Sequence, residues 1–240
     1  IRHVGIMMQY TSNTGGIMKR PVLSVVRTAV AGLVLAAGLA ACGKGPESAV
    51  AAAAPTGKVD AQRLAAVDSE PGQWLTSGRD AGKTFYSPLD QINAETVSRL
   101  GFAWQVETGT NRGMQATPVV VDGVMYITAV NEAYALDAAT GRPIWNFRRP
   151  RTQGLVGDAA GGINRGVALL NDRVFLVTDH AHLLALDRAT GAVLWDTEMA
   201  DYRQNYGATA APLVVNDLVL SGTSGGDEGV RGFVAAYSAS

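Results

Sequence analysis

The sequence is short of the features that define several protein classes. Its 240 residues include one cysteine, Cys42, so an intrachain disulfide is excluded. Twenty basic residues balance 21 acidic ones, and the net charge of −1 gives no electrostatic basis for binding nucleic acid. The most apolar run, residues 29–41, would rise only about 20 Å as a helix, which is too short for a ~30 Å hydrocarbon core. A disulfide scaffold is thus excluded, and a membrane-spanning helix is disfavoured.

The N-terminal part of the chain carries the pattern of an export signal. Residues 1–17 do not begin with Met and have no clear helical or strand period, which indicates non-native or upstream-translated sequence. Residues 18–41 place the basic residues of "MKRPVLSVVR" before an apolar run that ends in small residues, the order found in a signal peptide. A buried core helix is the alternative, and the basic flank opposes it.

Cys42 follows this signal within "LAACG", which resembles a bacterial lipobox. Lipidation would explain a lone cysteine in an exported protein, and a multi-acyl anchor would hold the folded part at a membrane surface in the periplasm. A plain secretory signal with an incidental cysteine is the alternative. Residues 42–72 are rich in Ala, Gly and Pro, and this composition predicts a flexible, disordered tether.

The remaining residues, 73–240, contain an internal repeat. The segment "AYALDAATGRPIW" (133–145) recurs 50 residues later as "LLALDRATGAVLW" (183–195), and a third copy begins at "APLVVNDLVLSG". Each copy has short apolar runs separated by Asp-Gly or Asn-Asp turns, which predict β-strands. Periods of this size built from short strands are typical of propeller blades. We therefore expect an all-β fold, a β-propeller of two blades and part of a third.

A "D-x-x-T-G" turn and a tryptophan recur in the first two copies. In such a turn the Asp caps backbone N–H groups and the Gly adopts a positive φ. Trp145 and Trp195 end the last strand of their copies. Their repetition favours packing between blades over stacking on a ligand.

The third copy contains an acidic insertion. Val219 follows its counterpart Val174 by 45 residues, whereas the next strand follows its counterpart by 51. The added residues lie in "SGGDEGVRG" (224–232), and insertions in repeat proteins map to loops, often on the binding face. Asp227 and Glu228 offer hard oxygen donors, which suit Ca²⁺ better than zinc. The alternative is a solvated turn.

Four longer stretches carry motifs beyond the repeat. They are "GKTFYSPLDQINAETVSRLGFAWQVETG", "RGMQATPVVVDGVMYI", "INRGVALLNDRVFLVTDHAHLLALD" and "GATAAPLVVNDLVLSGTSGGDEGVRGFVAAY". Together they resemble the dehydrogenases of the methanol and ethanol type that depend on pyrroloquinoline quinone (PQQ). The resemblance covers residues 73–240. It implies an eight-bladed quinoprotein propeller, of which this chain would supply the first two to three blades.

The same resemblance implies a cofactor and a metal ion. In the family, PQQ lies near the propeller axis on a Ca²⁺ or lanthanide ion. Asp227 falls at a metal-binding position, Arg165 at one that pairs with a PQQ carboxylate, and Thr209 at one that hydrogen-bonds PQQ. The full set of cofactor-binding positions is Gln115, Arg165, Thr209, Ser224, Gly225 and Gly226.

The chain departs from the family pattern at several of these positions. Ala159 and Ala160 stand where adjacent cysteines are common in the family. Gln115 replaces a Glu and loses its charge. Asp227 is one methylene shorter than the usual Glu, which puts the metal distance in doubt. Its neighbour Glu228 is expected to turn away, towards solvent or Arg231.

The implied function is oxidation of an alcohol or sugar, with electrons passed to a cytochrome c or a membrane quinone. The catalytic Asp and a further metal ligand are expected beyond Ser240, so the chain is expected to be an N-terminal portion that is inactive alone. The alternative is a non-enzymatic propeller lipoprotein, a scaffold of the outer-membrane assembly type. Such a scaffold shares the lipobox and the repeat but has no need for Arg165 or the acidic insertion.

Overall fold

The structure, a computed structural model, describes residues 57–108, 110 and 114–240. Strands predominate and form three antiparallel sheets, which confirms the all-β prediction. No helix within these described ranges is long and apolar enough to cross a membrane. The predicted signal peptide, Cys42 and residues 42–56 of the predicted tether lie outside the described residues.

The three sheets follow one another along the chain, and each one is a meander. Two sheets have four strands in sequence order, and the third has three strands with the second in the centre. All neighbouring strands are antiparallel. The strands are β1 (Val119–Val121), β2 (Val124–Ala129), β3 (Glu132–Asp137), β4 (Pro143–Arg148), β5 (Ala168–Leu170), β6 (Arg173–Val177), β7 (His182–Asp187), β8 (Val193–Glu198), β9 (Leu213–Val215), β10 (Leu218–Gly222) and β11 (Val234–Ser238).

The first hairpin of each sheet turns on residues that accept a positive φ. Asp122 and Gly123 join β1 to β2 with φ of 52° and 78°. Asn171 and Asn216, at the corresponding positions of the next two sheets, both have φ of 53°. Asn, Asp and Gly are the residues that adopt this conformation most readily, and such turns match the twist of the flanking strands.

The "D-x-x-T-G" turns follow β3 and β7 with the same hydrogen bonds. Oδ1 of Asp137 accepts from the backbone N–H of Ala139 (3.1 Å) and Thr140 (2.9 Å) and from the Thr140 hydroxyl (2.7 Å). Asp187 repeats this set at 3.1, 2.8 and 2.7 Å. The turn is therefore a local property of the motif, as the sequence predicts.

A tryptophan ring covers the glycine of each of the two "D-x-x-T-G" turns. The indole Nε1 of Trp145 donates to the backbone carbonyl of Arg188 at 2.8 Å. A Cβ at Gly191, where φ is 74°, would lie 2.7 Å from the Trp145 ring. Packing of Trp145 between blades is thus confirmed. Trp104, which the repeat alignment did not single out, covers Gly141 in the same way and donates to the carbonyl of Ala138 at 3.2 Å.

The hydrophobic core lies between neighbouring sheets. One cluster joins apolar side chains of the first two sheets, with Val121, Tyr126, Val174 and Leu186 all nearly inaccessible to solvent. A second cluster joins the second and third sheets, and the half-buried Trp195 packs against it. Strands β2 and β6 are buried almost throughout, whereas the outer strands β4 and β8 keep exposed positions. A sheet that packs against a neighbour on each face needs central strands that are buried on both faces.

Residues 57–72 pack onto the first two sheets, unlike the flexible tether expected over 42–72. They form α1 (Ala61–Ala65) and a 3-10 helix at Val67–Ser69. Val59 is fully buried and accepts a hydrogen bond from the backbone N–H of Asn171 at 2.7 Å. Val67 is also buried. The composition misleads here because two valines at the right positions are enough to anchor a short segment.

An ion-pair network holds the same segment from outside. The guanidinium of Arg63 in α1 contacts Glu70 at 2.7 Å and Asp122 of the first hairpin turn at 2.5 Å. Its hydrogen bond lowers the pKa of the Asp122 carboxyl, although burial of that carboxyl opposes the shift. The network links α1 to the first sheet, so the folded part begins ahead of Gln73.

Candidate functional site

The segments that lead into the first strands of the three sheets are hydrogen-bonded to one another. The backbone N–H of Thr117, ahead of β1, donates to the carbonyl of Arg165 at 3.4 Å. The N–H of Arg165, ahead of β5, donates to the carbonyl of Thr209, ahead of β9, at 3.0 Å. The three sheets therefore converge along this edge. Two of the predicted cofactor residues, Arg165 and Thr209, stand next to each other there.

The side chains of Arg165 and Thr209 also meet. Nη1 of Arg165 donates to the Thr209 hydroxyl at 2.6 Å. Thr209 is only 5% exposed, whereas the Arg165 side chain is exposed. Among the residues that the structure describes, no carboxylate pairs with this guanidinium. The pair thus presents hydrogen-bond donors and a positive charge, which suits an anionic group of a ligand.

Buried Asn164 fixes the backbone that carries Arg165. Its Oδ1 accepts from the Thr128 hydroxyl at 2.6 Å and from the N–H of Gly166 at 3.0 Å. Its Nδ2 donates to the carbonyl of Val177 at 3.0 Å. The side chain therefore ties β2 and β6 to the turn before β5. Sequence reasoning noticed "NRG" but assigned a role only to the arginine. The signal available in the sequence was the position of this asparagine between an apolar residue and Arg-Gly.

The acidic insertion contacts the segment 205–207, just ahead of Thr209. Ser224 and Gly207 exchange two backbone hydrogen bonds, at 2.7 and 3.1 Å. Gly225 has φ of 123°, and a Cβ there would collide with the carbonyl oxygen of Asn205. Close approach of the two segments therefore requires glycine at this position. The structure thus brings Ser224 and Gly225 to the segment that also carries Thr209.

The two acidic residues of the insertion differ in their surroundings. Asp227 lies in a 3-10 helix, Gly226–Glu228, and is exposed. Glu228 is half-buried, and its carboxylate covers the backbone of Gly157. This differs from the expectation that Glu228 faces solvent or Arg231, because the loop lies against the short helix that contains Gly157. Across the described residues, no group of three His, Cys, Asp or Glu side chains could hold a metal ion.

A short helix, α2 (Gly157–Gly161), forms another wall of the same region. It carries Ala159 and Ala160, the positions at which the sequence departs from the family pattern. Ala159 is buried, and its Cβ lies 2.5 Å from where a Cβ at Gly207 would stand. Only glycine at 207 allows this contact. The helix therefore touches the segment to which the insertion is paired.

The two remaining predicted residues, Gly226 and Gln115, are more exposed than Thr209 and Ser224. Gly226 is exposed at the start of the 3-10 helix, with open space around its α-carbon. Gln115 is exposed two residues ahead of Thr117. Its position is at the convergent edge, but the structure does not bring its side chain into hydrogen-bonding contact with Arg165 or Thr209.

One protein-family model and several characterised proteins match the sequence of this chain. Residues 74–240 match the β-propeller domain of PQQ-type glucose/ethanol/alcohol dehydrogenases. The chain is 42% identical over 184 residues to a quinohemoprotein alcohol dehydrogenase, ADH-IIG, of Pseudomonas putida, with 75% of the chain and 26% of the relative aligned. It is 41% identical over 180 residues to a lanthanide-dependent methanol dehydrogenase of Methylacidiphilum fumariolicum, with 72% of the chain and 29% of the relative aligned.

Solved structures give the same result. The ADHIIG enzyme from Pseudomonas putida HK5 superimposes with a TM-score of 0.71 at 42% identity, over 76% of this chain and 27% of that one. A europium-containing methanol dehydrogenase superimposes with a TM-score of 0.68 at 37% identity, over 74% and 32%. The prediction of a partial β-propeller is confirmed. The chain spans between a quarter and a third of the length of these relatives.

Proposed function

The chain belongs to the family of PQQ-type glucose, ethanol and alcohol dehydrogenases, and from this premise we propose that the full-length protein oxidises an alcohol or a sugar with PQQ. The described residues would form one side of the cofactor site. When bound, PQQ supplies the two-electron oxidation of the substrate. This chain's own residues would bind the cofactor and orient it.

The observation that carries the proposal is the pairing of Arg165 with Thr209. An exposed guanidinium held by a buried hydroxyl at 2.6 Å is a fixed donor set. PQQ carries three carboxylates, and a guanidinium matches a carboxylate with two parallel hydrogen bonds. The described residues therefore fit the cofactor in charge and in donor chemistry. Ser224 and Gly225, which contact the segment just ahead of Thr209, would line the same site, and Gln115 and Gly226 would border it.

We assign Asp227 as one ligand of a Ca²⁺ or lanthanide ion. Its exposed carboxylate is a hard oxygen donor, which such cations prefer. A single carboxylate does not make a site, so other ligands would complete it. One relative is a lanthanide-dependent enzyme and one similar solved structure contains europium, so the test includes a lanthanide as well as Ca²⁺.

We further propose that the protein works in the periplasm, anchored by a lipid at Cys42, and passes electrons to a cytochrome c or a membrane quinone. The order of basic residues, apolar run and "LAACG" supports the anchor. Replacing Cys42 by Ala should release the protein from the membrane fraction. An unchanged fractionation of this variant would refute the anchor and leave the proposed enzyme function standing.

The scaffold alternative predicts that Arg165 and Thr209 bind no cofactor. A non-enzymatic propeller would not need a charged side chain presented beside a buried hydroxyl. The family match over residues 74–240 supports the dehydrogenase instead. Direct measurement of PQQ binding by the full-length protein separates the two, since a scaffold would bind none.

The decisive experiment compares Arg165 variants in that measurement. Loss of the charge partner of a buried carboxylate costs on the order of 3 kcal/mol, so Arg165→Ala should weaken PQQ binding by about 100-fold. Arg165→Lys should recover only part of the affinity, because an ammonium cannot make the forked contact. Arg203→Ala, at an exposed arginine that contacts its chain neighbours Asp201 and Tyr202, is the matched control and should bind as the wild type does. Equal affinity of all four proteins would make Arg165 a structural residue.

A further inference from the structure

Helix α2 needs support from outside itself. It has five residues, Gly157–Gly161, and ends in Gly162 with φ of 80° and one cap hydrogen bond to Ala159. A single helical turn is unstable in isolation, because nucleation fixes several residues for each hydrogen bond gained. Its carbonyl groups at the C-terminal end also need donors. A wall of the proposed cofactor site therefore depends on neighbouring groups for its position.

Arg151 supplies those donors. Its Nη2 donates to the backbone carbonyls of both Ala159 and Ala160 at 3.1 Å. A cation at the C-terminal end of a helix is also favoured by the helix dipole. Arg151 follows β4 by three residues, so the contact joins α2 to the last strand of the first sheet.

Arg151 is itself fixed by a buried carboxylate. Its Nε donates to Oδ2 of Asp179 at 2.8 Å, and the Asp179 side chain is fully inaccessible to solvent. Thr152 donates to the same carboxylate from its hydroxyl at 2.9 Å and from its N–H at 3.2 Å. Burial alone would raise the pKa of Asp179, but hydrogen bonds from His180, Asn131, Arg151 and Thr152 hold that pKa well below its usual range. The carboxylate is thus an anionic anchor between β6 and β7.

Arg149 shows that the arrangement is specific. It lies two residues earlier, and its side chain is exposed to a similar extent, 25% against 29% for Arg151. Its Nη2 pairs with Asp196 of β8 at 2.6 Å, and it makes no hydrogen bond to α2. Arg149 and Arg151 therefore bind different carboxylates of the second sheet, and of the two only Arg151 also donates hydrogen bonds to α2.

We propose that Arg151 is a positioning residue, which holds α2 against the cofactor site by bridging Asp179 to the carbonyls of Ala159 and Ala160. The link to the cofactor rests on the proposed function. Arg151 acts through the helix: Ala159 packs against Gly207, and Gly207 is paired with Ser224. Displacement of α2 would therefore disturb both walls of the site.

The first measurement is independent of PQQ. Amide hydrogen exchange of the cofactor-free, full-length protein should be about tenfold or more faster at residues 157–162 in Arg151→Gln, because two hydrogen bonds from a charged donor are weakened. Arg151→Lys should give an intermediate rate, since one ammonium cannot serve Asp179 and both carbonyls with the same geometry. Arg149→Gln is the matched control and should leave these residues unchanged. Exchange that rises equally throughout the protein, or not at all, would overturn the positioning role.

The second measurement is titration with PQQ. Arg151→Gln should weaken binding about tenfold and alter the absorption spectrum of the bound cofactor, while Arg149→Gln should do neither. Arg151→Lys, which keeps a cation beside Asp179, serves if Arg151→Gln does not fold. If the wild type binds PQQ and the Arg151 variants bind it equally with the same spectrum, the inference fails. If the wild type binds no PQQ, the proposed function fails instead, and hydrogen exchange alone decides the positioning role.

Discussion

The turn after β7 contains one glycine, Gly191, and the acidic insertion after β10 contains four, and these glycines have different surroundings. Gly191 in the repeated turn lies under the ring of Trp145 and has φ of 74°. Gly226 in the insertion has nothing within 4 Å of an added Cβ. The comparison shows that a repeated glycine is needed for packing between sheets, whereas much of the insertion is free of that constraint.

The difference extends to how each region is held. The repeated turn forms from its own residues and is then covered by one tryptophan of the neighbouring sheet. The insertion is attached through Ser224 and Gly225, which contact the segment 205–207, and through Glu228, whose carboxylate covers Gly157 of α2. The exposed residues Gly226 and Asp227 can therefore change without loss of the fold. A site placed there can vary in chemistry while the sheets stay the same.

The largest effect that would test this comparison is expected for Gly191→Ala. A side chain there combines a positive φ with a clash against Trp145, and the expected loss of unfolding free energy is about 3 kcal/mol. Denaturant unfolding of the full-length protein measures it. Gly226→Ala is the matched change in the insertion and should stay within about 0.5 kcal/mol of wild type. Similar losses for the two variants would remove the distinction between the regions.

A smaller and different effect is expected for Asp227→Asn. An amide is a weaker ligand than a carboxylate for hard cations, so the metal concentration needed to reconstitute the cofactor-free enzyme should rise about tenfold or more. Stability without metal should stay unchanged because the side chain is exposed. The measurement is metal-dependent reconstitution with PQQ supplied, using Ca²⁺ and a lanthanide in parallel.

Glu228→Gln is the control for that experiment and should have the smallest effect on metal dependence. Its carboxylate covers Gly157 of α2, so we expect it to keep that contact and not to bind the metal. If Glu228→Gln is the variant that raises the metal requirement, the alignment of the insertion is displaced by one residue. If neither variant changes it, the insertion is a turn without a metal.

Several parts of the site could be predicted and others could not. Arg165 and Thr209 came from resemblance to a family, and the structure brings them within 2.6 Å of each other. Asn164 and the bridge from Arg151 to Asp179 were missed. The partners Thr128 and Val177 of Asn164 and the partner Asp179 of Arg151 lie 13 to 36 residues away along the chain, and no local pattern encodes such a pairing. The ordered segment 57–72 was missed for the same reason, since its burial depends on the sheets that it covers.

The sequence by itself determined the strands, the turns and the repeat, because alternation, Asp-Gly or Asn turns and "D-x-x-T-G" act over a few residues. The repetition of Trp145 and Trp195 also predicted that both pack between blades. Only the tertiary structure decided which groups meet at the convergent edge. There, Arg165 donates to the Thr209 hydroxyl, and Gly207 leaves room for the side chain of Ala159. The carboxylate of Glu228 covers Gly157 of α2. These contacts join segments of different sheets, and their geometry exists only after the sheets have packed.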